Sequence, residues 1–137
     1  MNDRQSQSGA ERRKFKRAPV SFTVLYRVKA PFAVRIQLGN RECDAIAQDI
    51  GEGGIGLVTN YEIAVGAVVD LKFNIYYERQ IAGEENYRAF ELDGDVRYCR
   101  TLPKEAGYRL GICFMNIATD DRNFISNYIK SQGLKSG

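Results

Sequence analysis

The chain has 137 residues, 44% of them hydrophobic and 11% aromatic, with a net charge of +3, no histidine and three cysteines. That is one domain's length, with enough apolar material for a core, and no run reaches the ~20 apolar residues of a membrane span. The N-terminus lacks the apolar stretch of a signal peptide, so a soluble cytoplasmic protein without membrane insertion is the expectation. Without histidine, neither a Ser-His nor a Cys-His nucleophile can be assembled, which argues against an enzyme. Cys43, Cys99 and Cys113 are odd in number and far apart, and they read as small buried hydrophobes rather than a disulfide or metal set.

The charge is unevenly placed. Residues 1–17 hold six basic and two acidic groups, a balance of +4, whereas the other 120 residues hold fourteen and fifteen, a balance of −1. A nucleic-acid binder should carry its basic face on the folded body, so no nucleic-acid partner is expected. Residues 1–11 are polar and aperiodic and read as a flexible arm.

Period-two alternation dominates from Pro19 onward, the mark of half-buried strands. Val20, Phe22, Val24, Tyr26 and Val28 share one face of the first run. Short runs near 42–49 and 54–59 flank a glycine cluster. Ala67 to Ile75, Phe90 to Tyr98 and Tyr108 to Phe114 complete about six strands, and Phe22, Tyr26, Phe73, Phe90, Tyr98 and Phe114 fall on the faces expected to be core. Gly39-Asn40 reads as a tight hairpin turn between short strands, and residues 82–86 as a polar hairpin tip. Antiparallel pairing into a closed sheet, which leaves no exposed edge, is the expected all-β architecture. The period then changes. Thr119 reads as an N-cap followed by Asp120 and Asp121, Phe124, Ile125, Tyr128 and Ile129 form one helical face, and Gly133 marks a stop before a flexible tail at 133–137.

Two segments carry chemistry. In Arg12-Arg13-Lys14-Phe15-Lys16-Arg17, Arg13 and Arg17 stand four apart around Phe15. A guanidinium fork matches phosphate oxygens bidentately, and it also matches the O6/N7 edge of guanine. A solvated basic tail is the plainer reading of the same run. In Asp49-Ile50-Gly51-Glu52-Gly53-Gly54-Ile55-Gly56, four glycines in six residues bare the backbone beside a carboxylate that could accept the N1–H and N2–H₂ donors of guanine. The plainer reading is a hairpin whose glycines supply positive φ. The segment is no phosphate-cradling loop, because the G-K-[ST] ending and the following helix are missing.

The pair R-x-x-x-R (Arg13, Arg17) and D-x-G-x-x-G (Asp49 to Gly54) resembles the paired motif of PilZ domains. The G-x-V-V-x-L-x-F run at 66–73, Gly-Asp-Val-Arg at 94–97 and Tyr-Arg-Leu-Gly-Ile-Cys-Phe at 108–114 follow in the family's order, so the resemblance spans nearly the whole chain. It implies a bacterial six-stranded antiparallel β-barrel over residues 12–132 with a C-terminal helix packed on it. It also implies a receptor that binds cyclic di-GMP without turning it over, needs no cofactor or metal, and signals to a protein of motility, biofilm or secretion machinery. By that resemblance Arg13 and Arg17 grip phosphates and guanine edges, Arg12 adds a base or phosphate contact, and Asp49 takes the Watson–Crick edge. Gly51, Gly53 and Gly54 then let the ligand approach, and Arg97 is a further contact whose plainer role is pairing with Asp95. Many family members have serine where this chain has Gly51. The missing hydroxyl would cost about 0.5–1.5 kcal/mol, up to roughly tenfold in affinity. The alternative function is therefore a PilZ-fold interaction module that does not bind the nucleotide.

Overall fold

The computed structural model describes residues 17–76, 87–104 and 106–136. Six strands, β1 (Arg17–Ala30), β2 (Cys43–Gly51), β3 (Gly54–Thr59), β4 (Val68–Tyr76), β5 (Tyr87–Leu102) and β6 (Gly107–Met115), are accompanied by helices α1 (Phe32–Gln37) and α2 (Thr119–Ser136). The strands close into an antiparallel barrel in the order β1-β2-β3-β6-β5-β4, so every edge is paired. The expected all-β barrel with a C-terminal helix is the observed architecture. The 82–86 hairpin tip, like the arm, lies outside the described residues.

Alternation makes the core. Val24, Tyr26 and Val28 of β1, Ala45 and Ala47 of β2, Val69 and Leu71 of β4 and Leu110 and Ile112 of β6 are all buried in the interior. One polar contact is buried with them. Thr59 donates its only hydroxyl proton to the Asp44 carbonyl at 3.1 Å, so the Tyr26 hydroxyl donates to Thr59 Oγ1 at 2.8 Å. Burial raises the Tyr26 pKa and keeps the phenol protonated.

At one end of the barrel, Phe22, Phe73, Phe90 and Phe124 form a chain of rings with centroids 5.0–5.7 Å apart. Helix α2 brings Phe124 to that chain and buries Ile125 completely, which seals this end. Its first turn is tied to β5 by an ion pair from Arg88 to Asp121 at 2.9 Å. The apolar set Phe124, Ile125, Tyr128 and Ile129 faces the core as expected, but the helix runs to Ser136 instead of stopping at Gly133.

The β1–β2 connection differs from expectation. Residues 32–37 form α1, and Gly39 and Asn40, at φ +67° and +53°, turn the chain out of that helix and not between two strands. Val34 and Leu38, four apart, pack on the core and hold α1 there, while Phe32 and Ile36 stay exposed. Six residues are too few for a helical period to stand out against β-branched Val and Ile.

Candidate functional site

The site begins with departures from strict alternation. Along β2, Cys43, Ala45 and Ala47 point inward, so parity alone would put Asp49 in the core as well. A register shift between Ala47 and Asp49 turns Asp49 outward and returns Ile50 to the interior. A second shift, between Val96 and Tyr98 in β5, brings Tyr98 to the outer wall, correcting its expected place among the core aromatics. Irregularities of this kind re-aim single side chains without breaking the sheet.

Across the outer wall, Asp49 is paired with Gly56, Gly56 with Gly111, and Gly111 with Tyr98. Two adjacent strands thus present bare backbone between a carboxylate and an aromatic ring. A Cβ on Gly111 would run into that ring, so the Tyr98 side chain lies flat over the glycine. The Arg100 guanidinium sits 4.9 Å from the ring centroid.

Two arginines converge on Asp49. Arg17, the first residue of β1, donates from Nη1 to Oδ1 at 2.5 Å, and Arg109, from β6, donates from Nη2 to Oδ2 at 2.6 Å. Arg109 Nη1 also donates to Gln48 Oε1. These side chains are about four-fifths shielded, at 20% (Arg17), 17% (Asp49) and 22% (Arg109) exposure, so their charges are less screened than a surface pair's. Burial pushes the Asp49 carboxyl up, but the hydrogen bonds and charges of Arg17 and Arg109 outweigh it and hold the pKa below the ordinary carboxylate value. Burial likewise opposes the charge on Arg109, and Tyr98 and Asp49 together overcome it and raise its pKa.

The β2–β3 turn closes the site on one side. Gly51 is paired with both Arg17 and Gly54, and the Gly53 carbonyl accepts the Phe114 N–H at 2.9 Å. The expectation that these glycines supply positive φ is not met, because the left-handed glycines among the described residues are Gly39 and Gly66. Close approach explains Gly54 instead. A Cβ there would collide with the Ile112 carbonyl oxygen and come within 3.0 Å of Arg17 Nη2.

Of the residues singled out from sequence, Arg17, Asp49, Gly51, Gly53 and Gly54 are therefore gathered at one place. Arg97 is directed elsewhere, to Asp95 at 2.9 Å, with its side chain 64% exposed. Arg12 and Arg13 lie outside the described residues. Sequence reading missed Arg109, Gln48, Tyr98, Gly56 and Gly111. Alternation did put Arg109 on an outward face, but its register against Asp49 has no signal in one sequence.

The PilZ domain model matches residues 11–131, which include the whole span over which barrel, glycine turn and arginine–carboxylate cluster are built. The protein belongs to the PilZ domain family. A solved structure with the same barrel is the Bacillus subtilis inhibitor of motility (MotI/DgrA), with TM-score 0.67 and 20% identity, covering 90% of this chain and 52% of that one. Another is YcgR from Escherichia coli in complex with c-di-GMP, with TM-score 0.61 and 15% identity over 91% and 47% of the two chains. The separate PilZ domain of YcgR with c-di-GMP aligns with TM-score 0.59 and 14% identity, over 91% of this chain and 94% of that domain. At these identities the likeness shows the fold. An uncharacterized Aquifex aeolicus protein is 27% identical over 109 residues, 80% of this chain and 48% of its own length. The chain spans about half the length of that relative and of the MotI and YcgR chains it matches. No helix among the described residues is long and apolar enough to cross a membrane.

Proposed function

We propose that this PilZ domain is a receptor for cyclic di-GMP, bound at the end of the barrel where Arg17, Asp49 and the Gly51–Gly54 turn meet. The observation that carries this reading is the 2.5 Å contact between Arg17 and Asp49, thirty-two residues apart in the chain. It supports placing the arginine motif and the aspartate motif in one site, with phosphate-type and guanine-type partners within reach of a single small ligand. Two PilZ structures of this fold, YcgR and its separate domain, hold c-di-GMP.

In this reading Arg17, with Arg13 and Arg12 of the preceding run, meets the phosphates and a purine edge. Asp49 accepts the guanine Watson–Crick edge, and the bare backbone at Gly51, Gly53 and Gly54 lets the base lie close. The chemistry asked of the protein is recognition, with no bond made or broken. The ligand's two negative charges offset the basic run at 12–17 and draw it against the barrel end. A partner protein then reads the altered surface, an order–disorder type of switch.

Isothermal titration with cyclic di-GMP tests the reading, with GTP as control ligand and Arg17→Ala and Asp49→Ala as variants. Saturable binding by the wild type that both variants weaken, with no response to GTP, is expected. A wild type that gives no heat at tens of micromolar sinks the receptor reading and leaves the interaction module with its Gly51.

A further inference from the structure

We propose that Arg109 is the positioning residue of this site: it holds Asp49 in place while Arg17 leaves the carboxylate for the ligand. The inference rests on the nucleotide reading above and assigns a division of labour within it. Its basis is an asymmetry between the two arginines that share one carboxylate.

Arg109 is clamped. It projects from the interior of β6, and each terminal nitrogen of its guanidinium has an acceptor, Gln48 Oε1 for Nη1 and Asp49 Oδ2 for Nη2. The Tyr98 side chain also interacts with it. Beneath the pair lies Gly56, so close that a Cβ there would stand 2.8 Å from Asp49 Oδ2 and 3.0 Å from Arg109 Nη2. The carboxylate and the Arg109 fork are therefore seated directly on bare backbone.

Arg17 is held more lightly. It is the first residue of its strand and makes its one side-chain hydrogen bond among the described residues to Asp49 Oδ1. Its Nη2 lies beside Gly54, at the turn, and has no side-chain acceptor among the described residues.

A carboxylate has about four acceptor positions, two on each oxygen. The N1–H and N2–H₂ donors of guanine need one position on each. With one arginine on each oxygen a position on each stays free for guanine, so departure of Arg17 serves to release a guanidinium for a phosphate or for the Hoogsteen edge. Departure of Arg109 would instead leave a shielded carboxylate without a fixed counter-charge or a fixed plane. The geometry thus makes Arg17 the mobile partner and Arg109 the fixed one, so Arg109 acts on the ligand through Asp49.

The test is a double-mutant cycle on cyclic di-GMP affinity, measured by isothermal titration with Arg109→Ala, Asp49→Ala and the double variant. A ¹³C-detected titration of the Asp49 carboxyl in the ligand-free wild type and Arg109→Ala is run alongside. Loss of Arg109 is expected to weaken binding about tenfold. The double variant should bind no more weakly than Asp49→Ala alone, because a residue acting through another adds nothing once that other is gone. The Asp49 carboxyl, which faces Arg17 and Arg109, should titrate at higher pH in Arg109→Ala. Additive losses would mean that Arg109 touches the ligand itself, and unchanged binding or an unmoved Asp49 titration would equally overturn the proposal. If Arg109→Ala does not fold, Arg109→Met keeps the apolar stem and removes both charge and fork, and the same outcomes decide. Should Asp49→Ala abolish measurable binding, the carboxyl titration decides alone. A wild type that fails to bind refutes the receptor reading, while the ligand-free titration still judges the role of Arg109.

Discussion

Gly56 and Gly54 sit two residues apart in β3, and alanine at each should do opposite things. At Gly56 the three atoms nearest the added Cβ would all be ends of side chains, Asp49 Oδ2 at 2.8 Å, Arg109 Nη2 at 3.0 Å and Asp49 Oδ1 at 3.1 Å. Ordinary contact begins near 3.4 Å, so the carboxylate must lift by about 0.6 Å and take Arg109 with it. Alanine in a strand gains about 0.5–1 kcal/mol over glycine, and disturbing a partly shielded ion pair loses up to about 1 kcal/mol, so stability should change by less than about 1 kcal/mol. Affinity should change far more, because a guanine edge read bidentately is worth about 1–3 kcal/mol, roughly ten- to hundredfold. At Gly54 the Cβ would strike the Ile112 carbonyl oxygen, which belongs to the neighbouring strand and cannot swing away. Overpacking of that kind costs about 1–3 kcal/mol, or roughly 4–12 °C in Tm for a domain this size. Thermal unfolding of both variants and titration of Gly56→Ala with cyclic di-GMP make the comparison. Wild-type affinity in Gly56→Ala would refute the dependence of ligand binding on the seating of Asp49 and Arg109 over Gly56, and equal melting of the two variants would refute the distinction between side-chain and backbone contact.

Two further outcomes concern the barrel itself. Tyr26→Phe removes the donor to the buried Thr59 hydroxyl and should lower unfolding free energy by about 0.5–1.5 kcal/mol in urea, with cyclic di-GMP affinity unchanged, because Tyr26 faces the interior. Asp70 stands directly opposite Asp93 with Glu91 nearby, and burial together with these like charges raises its pKa. Its folded state therefore favours the proton, so its contribution to stability is present in acid and lost as pH rises through the raised value. Asp70→Asn should stabilise the protein at pH 7 by up to about 0.5 kcal/mol and leave it unchanged near pH 3; stabilisation of equal size at both pH values would contradict this account.

Much of the fold was legible because a barrel wall must alternate: interior positions from Val24 through Ile112, Thr59 apart, are apolar in a period of two wherever the register is unbroken. The site sits where that register breaks. Parity along β2 points Asp49 inward, and parity along β5 groups Tyr98 with Phe90, Leu92 and Val96; the shifts at Gln48 and Arg97 reverse both. A one-residue irregularity leaves no mark in composition, so the outward cluster could be reached from sequence only through the spaced arginine and aspartate motifs. Those supplied Arg17 and Asp49. Arg109 had no comparable marker, since its partner Asp49, sixty residues away on β2, is reached only through the pairing of β6 with β3 and of β3 with β2. Helix α1 escaped for a different reason, being shorter than two turns of helical period.

The carboxylate at the centre has two possible effects on ligand affinity, and they differ in sign. As an acceptor for guanine, Asp49 contributes to binding. As the partner that occupies Arg17 in the free protein, it opposes binding, because that ion pair must open before Arg17 meets a phosphate. Asp49→Asn separates the two while keeping the shape. The amide keeps one oxygen, loses the charge that holds Arg17 and Arg109, and presents an NH₂ where guanine also presents donors. Acceptance is expected to dominate, so Asp49→Asn should weaken cyclic di-GMP binding about tenfold or more, the order expected for a charge-assisted hydrogen bond. If competition dominates, the same variant binds more tightly. Acid should act in the direction of the variant. The lowered pKa keeps Asp49 ionised, and its ion pairs formed, above the usual value of about 3.8; their stabilisation is lost as pH falls through the still lower folded value. Tighter binding by Asp49→Asn at pH 7 would recast the Arg17–Asp49 contact as an inhibitory latch and remove guanine recognition from Asp49. Weaker binding would show that the exchange of partners at Arg17 costs less than the guanine contact returns.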